Sequence, residues 1–340
     1  MSDKFKEKVM LYRPLTCLEI CAGGGGQALG LEAAGFEHVA LVEIEKPYCD
    51  VLKLNRPNWN VICSDIKDFD ATPYKDVDLF AGGVPCPPFS IAGKKLGKDD
   101  ERDQFPEALR LISECTPKTV MLENVRGFLD PIFCDHRRFV LTTLENLGYT
   151  VSIKLLNSSD YGVPQLRPRV IIIGVRRDLN SSFSYPKPCL NAPPTVGETL
   201  LDLMASNGWE GATLWAEKAN KIAPTLVGGS KKHGGPDLGP VRARNAWLTL
   251  GVDGRGVANE APLPEFNGVP RLTVRMLARL QGFSDDWTFG LRKTAACRMI
   301  GNAFPPPVAK AIGEKLKECL LYAEESNGPE ERLSQEIILR

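Results

Sequence analysis

The chain has 340 residues, 43% of them hydrophobic and 25% charged, and its 42 Lys and Arg balance its 42 Asp and Glu. This length suits one large or two ordinary globular domains, with a core that needs no disulfide support. Zero net charge excludes a uniformly basic polycation but allows a local basic surface. No apolar run approaches the about 18 residues of a membrane-spanning helix, and the charged first ten residues do not resemble a secretory signal.

Ten cysteines are scattered along the chain without a Cys-x-x-Cys pair. This spacing argues against a zinc site or a redox motif, so we expect no metal. Unpaired cysteines in a chain without a secretory signal indicate reduced thiols, and we therefore expect a cytoplasmic protein.

The first half alternates short apolar runs with helical patterns. Strands are predicted at residues 15–21, 38–43, 61–64, 77–81, 119–122, 151–157 and 170–175, and helices at residues 27–34, 47–55, 105–115 and 137–147. This repeated order predicts an α/β domain built on a parallel central sheet.

The composition changes near residue 178, and from there to about residue 270 the chain is rich in Pro, Gly, Asn and Ser. Such a long stretch indicates functional loops or a separate irregular domain. Helices are predicted again at residues 274–280 and 306–322, before an acidic tail. Three tryptophans in this half, Trp209, Trp215 and Trp247, are predicted to belong to the core.

Four consecutive glycines, residues 23–26, follow the first predicted strand and begin a helix. Glycines at this position let a ligand approach the backbone at a helix N-terminus. Glu43 ends the next strand about 20 residues later, where a carboxylate can bind a ribose diol. Asp65 ends the third strand and is placed to meet an adenine amine. Together they predict a nucleoside cofactor, but they do not separate NAD from S-adenosylmethionine.

Two further segments are predicted at the carboxyl edge of the sheet, where α/β sites lie, and a third leads into a buried strand. Cys86 stands between Pro85 and Pro87, Glu123 follows a strand, and Arg167 and Arg169 are spaced to share one side of an extended segment. The alternatives are a rigid turn with an incidental cysteine, a helix-capping carboxylate and a solvated strand entrance.

Taken together, these motifs resemble those of the DNA cytosine-5 methyltransferase family of the bacterial restriction-modification type. The runs at residues 271–275 and 279–283 and the pair Gly301-Asn302 extend the match over nearly the whole chain. The resemblance implies a Rossmann-like, mostly parallel sheet with helices on both faces and a small, irregular target-recognition domain. It divides the chain into a catalytic domain of residues 1–178, completed by residues 285–340, and a recognition domain of residues 179–284.

The resemblance also implies the site residues. Cys86 would add to C6 of cytosine, Glu123 would protonate N3, and Arg169, supported by Arg167, would meet O2 and a phosphate. S-adenosylmethionine contacts are implied for Cys21, Ala22, Gly23, Gly25, Gly26, Glu43, Ile44, Asp65, Ile66, Gly83, Pro85 and Asn302. The chain departs from the family pattern at Cys21, Ile44, Met276 and Met299.

A thiolate reaches C6 only when the base leaves the duplex, so a closing loop is expected at residues 90–102. Residues 218–244 hold six basic residues against one acidic residue, which predicts a basic recognition surface on a neutral protein. The DNA contacts expected from these segments and from the Gln-x-Arg-x-Arg run are Ser90, Lys94, Lys95, Lys98, Gln165, Lys231, Lys232, His233, Arg242 and Arg244. We expect a monomer that acts on double-stranded DNA, with a restriction endonuclease as its functional partner.

Three alternatives stay open from the residues. The substrate is tRNA, although the Cys-Phe-Thr segment of that branch is absent from this sequence. The chain is a DNA-binding subunit without catalysis, which intact Cys86, Glu123 and Arg169 disfavour. Or it is a nicotinamide-dependent dehydrogenase, which leaves the Pro-Cys and Glu-Asn-Val segments unexplained.

Overall fold

The computed structural model describes residues 13–85, 103–229 and 235–326. Cys86, Ser90, Lys94, Lys95 and Lys98 lie outside the described residues, as do Lys231, Lys232 and His233.

Seven strands and ten α-helices are described, and their type and order match the predicted elements of the first half. The strands are β1 (Leu15–Ile20), β2 (Phe36–Glu43), β3 (Val61–Cys63), β4 (Leu79–Gly83), β5 (Thr119–Val125), β6 (Tyr149–Asn157) and β7 (Pro168–Arg176). The helices are α1 (Gly26–Ala34), α2 (Lys46–Asn55), α3 (Phe105–Cys115), α4 (Cys134–Asn146), α5 (Val196–Met204), α6 (Ala212–Lys218), α7 (Val241–Thr249), α8 (Val274–Leu280), α9 (Lys293–Asn302) and α10 (Pro306–Ser326).

The strands form one sheet in the order β3-β2-β1-β4-β5-β7-β6. All neighbours are parallel except that β7 runs antiparallel to both β5 and β6. The mostly parallel central sheet is therefore confirmed, and β7 is its antiparallel strand. Residues 158–167 join β6 to β7, and this connection is shorter than the dozen or more residues that a parallel crossover needs.

Both faces of the sheet are covered, because successive residues of a strand point to opposite sides. In β4, Phe80 belongs to a buried cluster with α3 and α4, whereas Leu79 and Ala81 belong to a cluster with α1 and α10. Helices on both faces are thus confirmed, as expected for a parallel sheet.

A third buried cluster joins the two halves of the chain. It contains Leu29 and Leu52 of the first half together with Trp209, Trp215 and Trp247 of the second. The three tryptophans are core residues, as predicted. The expected domain boundary at residue 178 therefore does not divide the apolar core into two separate parts.

The first helix packs tightly against the last one. A Cβ atom added at Gly30 would lie 2.3 Å from the carbonyl oxygen of Pro306 and 2.5 Å from Cβ of Ala309. Only a residue without a side chain allows this approach, so Gly30 lets α10 pack directly against α1.

Arg167 and Gln165 are buried connectors between the sheet and the second half. The Nη atoms of Arg167 donate to the carbonyl oxygens of Leu226 (3.0 Å), Gly301 (2.7 Å) and Ala303 (3.0 Å). Gln165 Nε2 donates to Gln281 Oε1 at 2.9 Å and to Leu280 O at 3.1 Å, and its Oε1 accepts from the Leu226 amide.

Both side chains are fully buried, at 0% exposure. The prediction of a DNA contact for Gln165 is therefore wrong, because its side chain is not exposed. The expectation that Arg167 supports Arg169 stays a prediction. Together the two side chains donate to four backbone carbonyl oxygens and accept from one backbone amide, and buried backbone groups need such partners.

Replacement of Gly30 by Val should lower the free energy of unfolding by about 1–3 kcal/mol, because the added methyl groups overlap α10. The measurement is denaturant unfolding. The control is Ala33→Val, on the exposed side of the same helix. Equal stability of the two variants would show that α1 and α10 do not pack this closely.

Replacement of Arg167 by Met should lower the free energy of unfolding on the order of 3 kcal/mol, because three buried carbonyl oxygens lose their donors. Arg242→Met, at an exposed position of α7, is the matched control. A stable Arg167→Met protein that had lost only DNA affinity would contradict the structural role.

Candidate active site

A cavity of about 510 Å³ opens at the carboxyl ends of β1, β2, β4 and β5. Strands β1, β2 and β3 follow one another toward one side of the sheet, and β4 starts the other side next to β1, so the strand order reverses between β1 and β4. Ligands of α/β proteins bind at such a switch point. Predicted cofactor residues that line it are Cys21, Ala22, Gly23, Gly26, Glu43, Ile44, Asp65, Ile66, Gly83, Pro85 and Asn302. Glu123 lines the same cavity. The structure therefore brings the predicted acid and the cofactor loop to one place.

The loop between β1 and α1 reaches the cavity through left-handed backbone. Cys21, Gly23 and Gly25 have φ values of 52°, 54° and 78°. Glycine adopts this region without strain, whereas Cys21 is held there at some cost, as residues at functional sites often are. Of the predicted cofactor residues, only Gly25 does not line the cavity; it makes the turn into α1.

Glu43 fastens this loop to the end of β2. Its carboxylate accepts hydrogen bonds from the amides of Gly23 (2.7 Å) and Glu45 (2.9 Å). Burial raises the pKa of Glu43, while the two amide donors act in the opposite direction. Asp65 and Ile44 lie nearer the opening, and Ile44 is 59% exposed. Glu43 thus shapes the loop and also presents a carboxylate to the cavity.

Glu123 and Arg169 form an ion pair where β5 and β7 lie side by side. The distance from Arg169 Nε to Glu123 Oε1 is 2.7 Å, and both side chains are nearly buried. Burial raises the pKa of Glu123, and the neighbouring guanidinium groups of Arg169 and Arg167 lower it. The carboxyl group can therefore hold a proton or share one, as a general acid must.

Asn124 holds the segment that leads to Cys86. Its Nδ2 donates to the carbonyl oxygen of Val84 at 2.9 Å, and its Oδ1 accepts from the amide of Val125 at 2.8 Å. Pro85 lines the cavity, and Cys86 follows it in the sequence. Sequence reasoning missed Asn124 as a functional position, although a polar residue inside an apolar strand is a usable signal.

The structure shows the contacts of two residues, Met276 and Met299, that were noted above as departures from the family pattern. The sulfur of Met276 lies 3.3 Å from the Thr273 amide and completes a capping box at the start of α8. Met299 lines the cavity and packs against the backbone of Gly24. Met276 therefore caps a helix, and Met299 packs against the glycine loop.

The structure adds other lining residues that sequence reasoning missed, among them Glu19, Gln27 and Tyr48. Glu19 is an acidic residue within the apolar strand β1, a pattern that marks a buried carboxylate. Gln27 is 5% exposed, and neither polar atom of its side chain has a hydrogen-bond partner among the described residues. Buried polar atoms without partners indicate a ligand or water.

The predicted recognition surface is described only in part. Arg242 and Arg244 lie at the start of α7, where Arg242 is exposed and Arg244 half-buried. They are available to an anionic partner, and their contact with DNA stays a prediction. Among the described helices, none is long and apolar enough to cross a membrane, and the nine cysteines that are described are all free thiols.

Comparison with known proteins agrees with this geometry. Residues 15–318 match the family of C-5 cytosine-specific DNA methylases. The chain is 54% identical over 308 residues to the type II methyltransferase M.NgoMIV of Neisseria gonorrhoeae, covering 90% of this chain and 98% of that protein. It is 52% identical over 312 residues to the type II methyltransferase M.NaeI of Lentzea aerocolonigenes, covering 90% of this chain and 75% of that protein.

A crystal structure of a prophage-encoded Escherichia coli protein, described as a DNA modification methyltransferase, has the same fold. It superposes with a TM-score of 0.66 at 25% identity, covering 90% of this chain and 99% of that one. The chain therefore belongs to the family of C-5 cytosine-specific DNA methylases, and it is a DNA cytosine-5 methyltransferase.

Proposed function

We propose that the protein transfers a methyl group from S-adenosylmethionine to C5 of cytosine in a specific double-stranded DNA sequence. The observation that carries this proposal is the shared cavity, in which the Glu123–Arg169 pair lies beside the glycine loop that Glu43 holds. Glu123, the proposed acid for the cytosine ring, is thus next to the proposed cofactor site, as a direct methyl transfer requires.

The cavity fits this cofactor in size and in chemistry. Its volume of about 510 Å³ is within the usual range for small-molecule sites. Glu43 and Asp65 offer carboxylates to hydroxyl and amine groups, and Gln27 offers a donor and an acceptor that have no partner among the described residues. When bound, the cofactor supplies a methyl group activated on a sulfonium.

Cys86 serves as the nucleophile, because cytosine C5 is not reactive while its ring is aromatic. Its thiolate bonds to C6, and Glu123 gives a proton to N3, which leaves a neutral ring with a nucleophilic C5. After C5 is methylated, N3 returns its proton to Glu123 and water takes the C5 proton. The electrons of that C–H bond form the C5–C6 double bond as the thiolate of Cys86 leaves, so aromaticity returns. Arg169, which pairs with Glu123, would orient that carboxyl group and meet the O2 carbonyl.

The proposed DNA contacts follow from the need to bring the target base into the active site. The target base must leave the stack, which costs a few kcal/mol, and Ser90, Lys94, Lys95 and Lys98 would hold the opened strand. Lys231, Lys232, His233, Arg242 and Arg244 would contact the recognition sequence. The type II relatives favour protection of bacterial cytoplasmic DNA against a cognate restriction endonuclease, with this chain acting as a monomer and without a metal.

Bisulfite sequencing of plasmid DNA from cells that express the chain tests the activity and identifies the target. We expect protected cytosines at one position of one recurring sequence. Plasmid from cells that express Cys86→Ala is the control. Cytosines that stay fully convertible with the wild-type chain would refute the proposed function.

DNA that carries 5-fluorocytosine at the target should form a covalent complex with the wild-type protein, because fluorine cannot leave as the C5 proton does. Cys86→Ala should form no complex, and Cys134→Ala, at an exposed cysteine, should react like the wild type. Denaturing gels separate bound from free DNA. A complex formed by Cys86→Ala would contradict the role of this thiol.

Replacement of Glu123 by Gln should lower kcat by about 10²- to 10⁴-fold, the usual contribution of a general acid. Because burial raises the pKa of Glu123, the active protonated form is lost as pH rises, so wild-type kcat should fall on the alkaline side. This decline should vanish in Glu123→Gln. Identical pH profiles for the two proteins would contradict the assignment of Glu123 as the acid.

A further inference from the structure

Two chain segments of the second half meet beside the cofactor cavity. One is the end of α9, where Asn302 lines the cavity, and the other is the segment of residues 227–229. Gly228 does not itself line the cavity and has no role in the chemistry described above. The proposed DNA contacts at residues 231–233 follow soon after in the sequence, so this contact joins the recognition domain to the cofactor site.

The two segments touch through their backbones, because a glycine stands on each side of the contact. A Cβ atom added at Gly228 would lie 2.1 Å from Asn302 Oδ1 and 2.6 Å from the carbonyl oxygen of Arg298. A Cβ atom added at Gly301 would lie 2.5 Å from the amide nitrogen of Gly228. Atoms in favourable contact are about 3.5–4.0 Å apart. Neither glycine has a left-handed φ, so the need for glycine comes from the space between the segments.

The side chain of Asn302 lies between this contact and the cavity. Its Nδ2 donates to the carbonyl oxygen of Gly229 at 3.4 Å, and its Oδ1 faces the position that a Cβ atom at Gly228 would take. A hydrogen bond of this length is weak, and a side chain held by it alone would keep most of its rotamer freedom. The free space at Gly228 therefore leaves the Asn302 amide its place in the cavity wall.

A buried arginine prevents the two segments from moving apart. Arg167 donates to the carbonyl oxygens of Leu226 at 3.0 Å and Gly301 at 2.7 Å, so one guanidinium group binds both segments. Arg167 is fully buried, where the loss of a hydrogen bond to a charged group is costly. A methyl group added at Gly228 would thus displace the Asn302 side chain rather than separate the segments.

We propose that Gly228 is a positioning residue for the cofactor site, because its lack of a side chain lets the segment of residues 227–229 hold the Asn302 amide in the cavity wall. Gly228 acts through Asn302 and does not touch the cofactor. The recognition domain thereby contributes to the affinity for the cofactor even when no DNA is bound. This inference rests on the proposed use of S-adenosylmethionine.

Calorimetric titration of the full chain with S-adenosylmethionine, without DNA, tests this inference. The absence of DNA keeps any change in DNA recognition out of the measurement. Gly228→Ala should raise the Kd about three- to tenfold, the equivalent of one lost hydrogen bond. Gly235→Ala is the control and should bind like the wild type, because its Cβ atom would lie 3.4 Å from Asp237 Oδ2. Equal affinities of the two variants would overturn the inference.

A double-mutant cycle separates positioning from a general loss of structure. Asn302→Ala should also raise the Kd for S-adenosylmethionine. Gly228→Ala added to Asn302→Ala should raise it no further, because the group that Gly228 positions is already absent. Effects of the two substitutions that add in full would show that Gly228 does not act through Asn302, and would overturn the inference.

Hydrogen exchange of the wild type keeps the test decisive if Gly228→Ala does not fold. S-adenosylmethionine should slow amide exchange in residues 227–229, because a bound cofactor confines Asn302 and linkage is reciprocal. Mass spectrometry of peptides measures this, and unchanged exchange in that segment with the cofactor bound would overturn the inference. A wild-type protein that does not bind S-adenosylmethionine would overturn the proposed function itself, whereas binding without an effect of Gly228 overturns only this inference.

Discussion

Three buried carboxyl groups at one edge of a parallel sheet are the constraint on which the site depends. Glu19, Glu43 and Glu123 belong to β1, β2 and β5, and each is less than one-tenth exposed. Charge is costly away from water unless it is paired, so each has its own partner. Glu19 meets His38, Glu43 meets two backbone amides, and Glu123 meets Arg169.

The different partners give the three groups different chemistry. Backbone amides of Gly23 and Glu45 hold the carboxylate of Glu43, which fixes the glycine loop and also lines the cavity. Arg169 favours the ionised form of Glu123 while burial favours the protonated one, which keeps a proton exchangeable. Glu19 pairs with the ring of His38 and also lines the cavity.

The site also depends on connections from the second half of the chain. Arg167 binds carbonyl oxygens that precede and follow Asn302, and Gln281 Nε2 donates to the carbonyl oxygen of Ala303. These contacts bring the end of α9 to the cavity, where Asn302 and Phe304 complete its wall. Because guanidinium and amide groups satisfy several carbonyls at once, one buried side chain can order a segment with little regular structure.

The sequence by itself determined the strand–helix order, the glycine loop and the groups that meet at the sheet edge. These follow from local signals: apolar periodicity defines the elements, and parallel strands place their carboxyl ends together. The spacing of Arg167 and Arg169 predicted only that the two side chains share one side of an extended segment. Only the tertiary structure directs Arg167 to backbone carbonyls and Arg169 to Glu123, because the partner of a long side chain is set by which distant segments pack around it. For the same reason the pairing of Glu19 with His38 became visible only when β1 and β2 lay side by side.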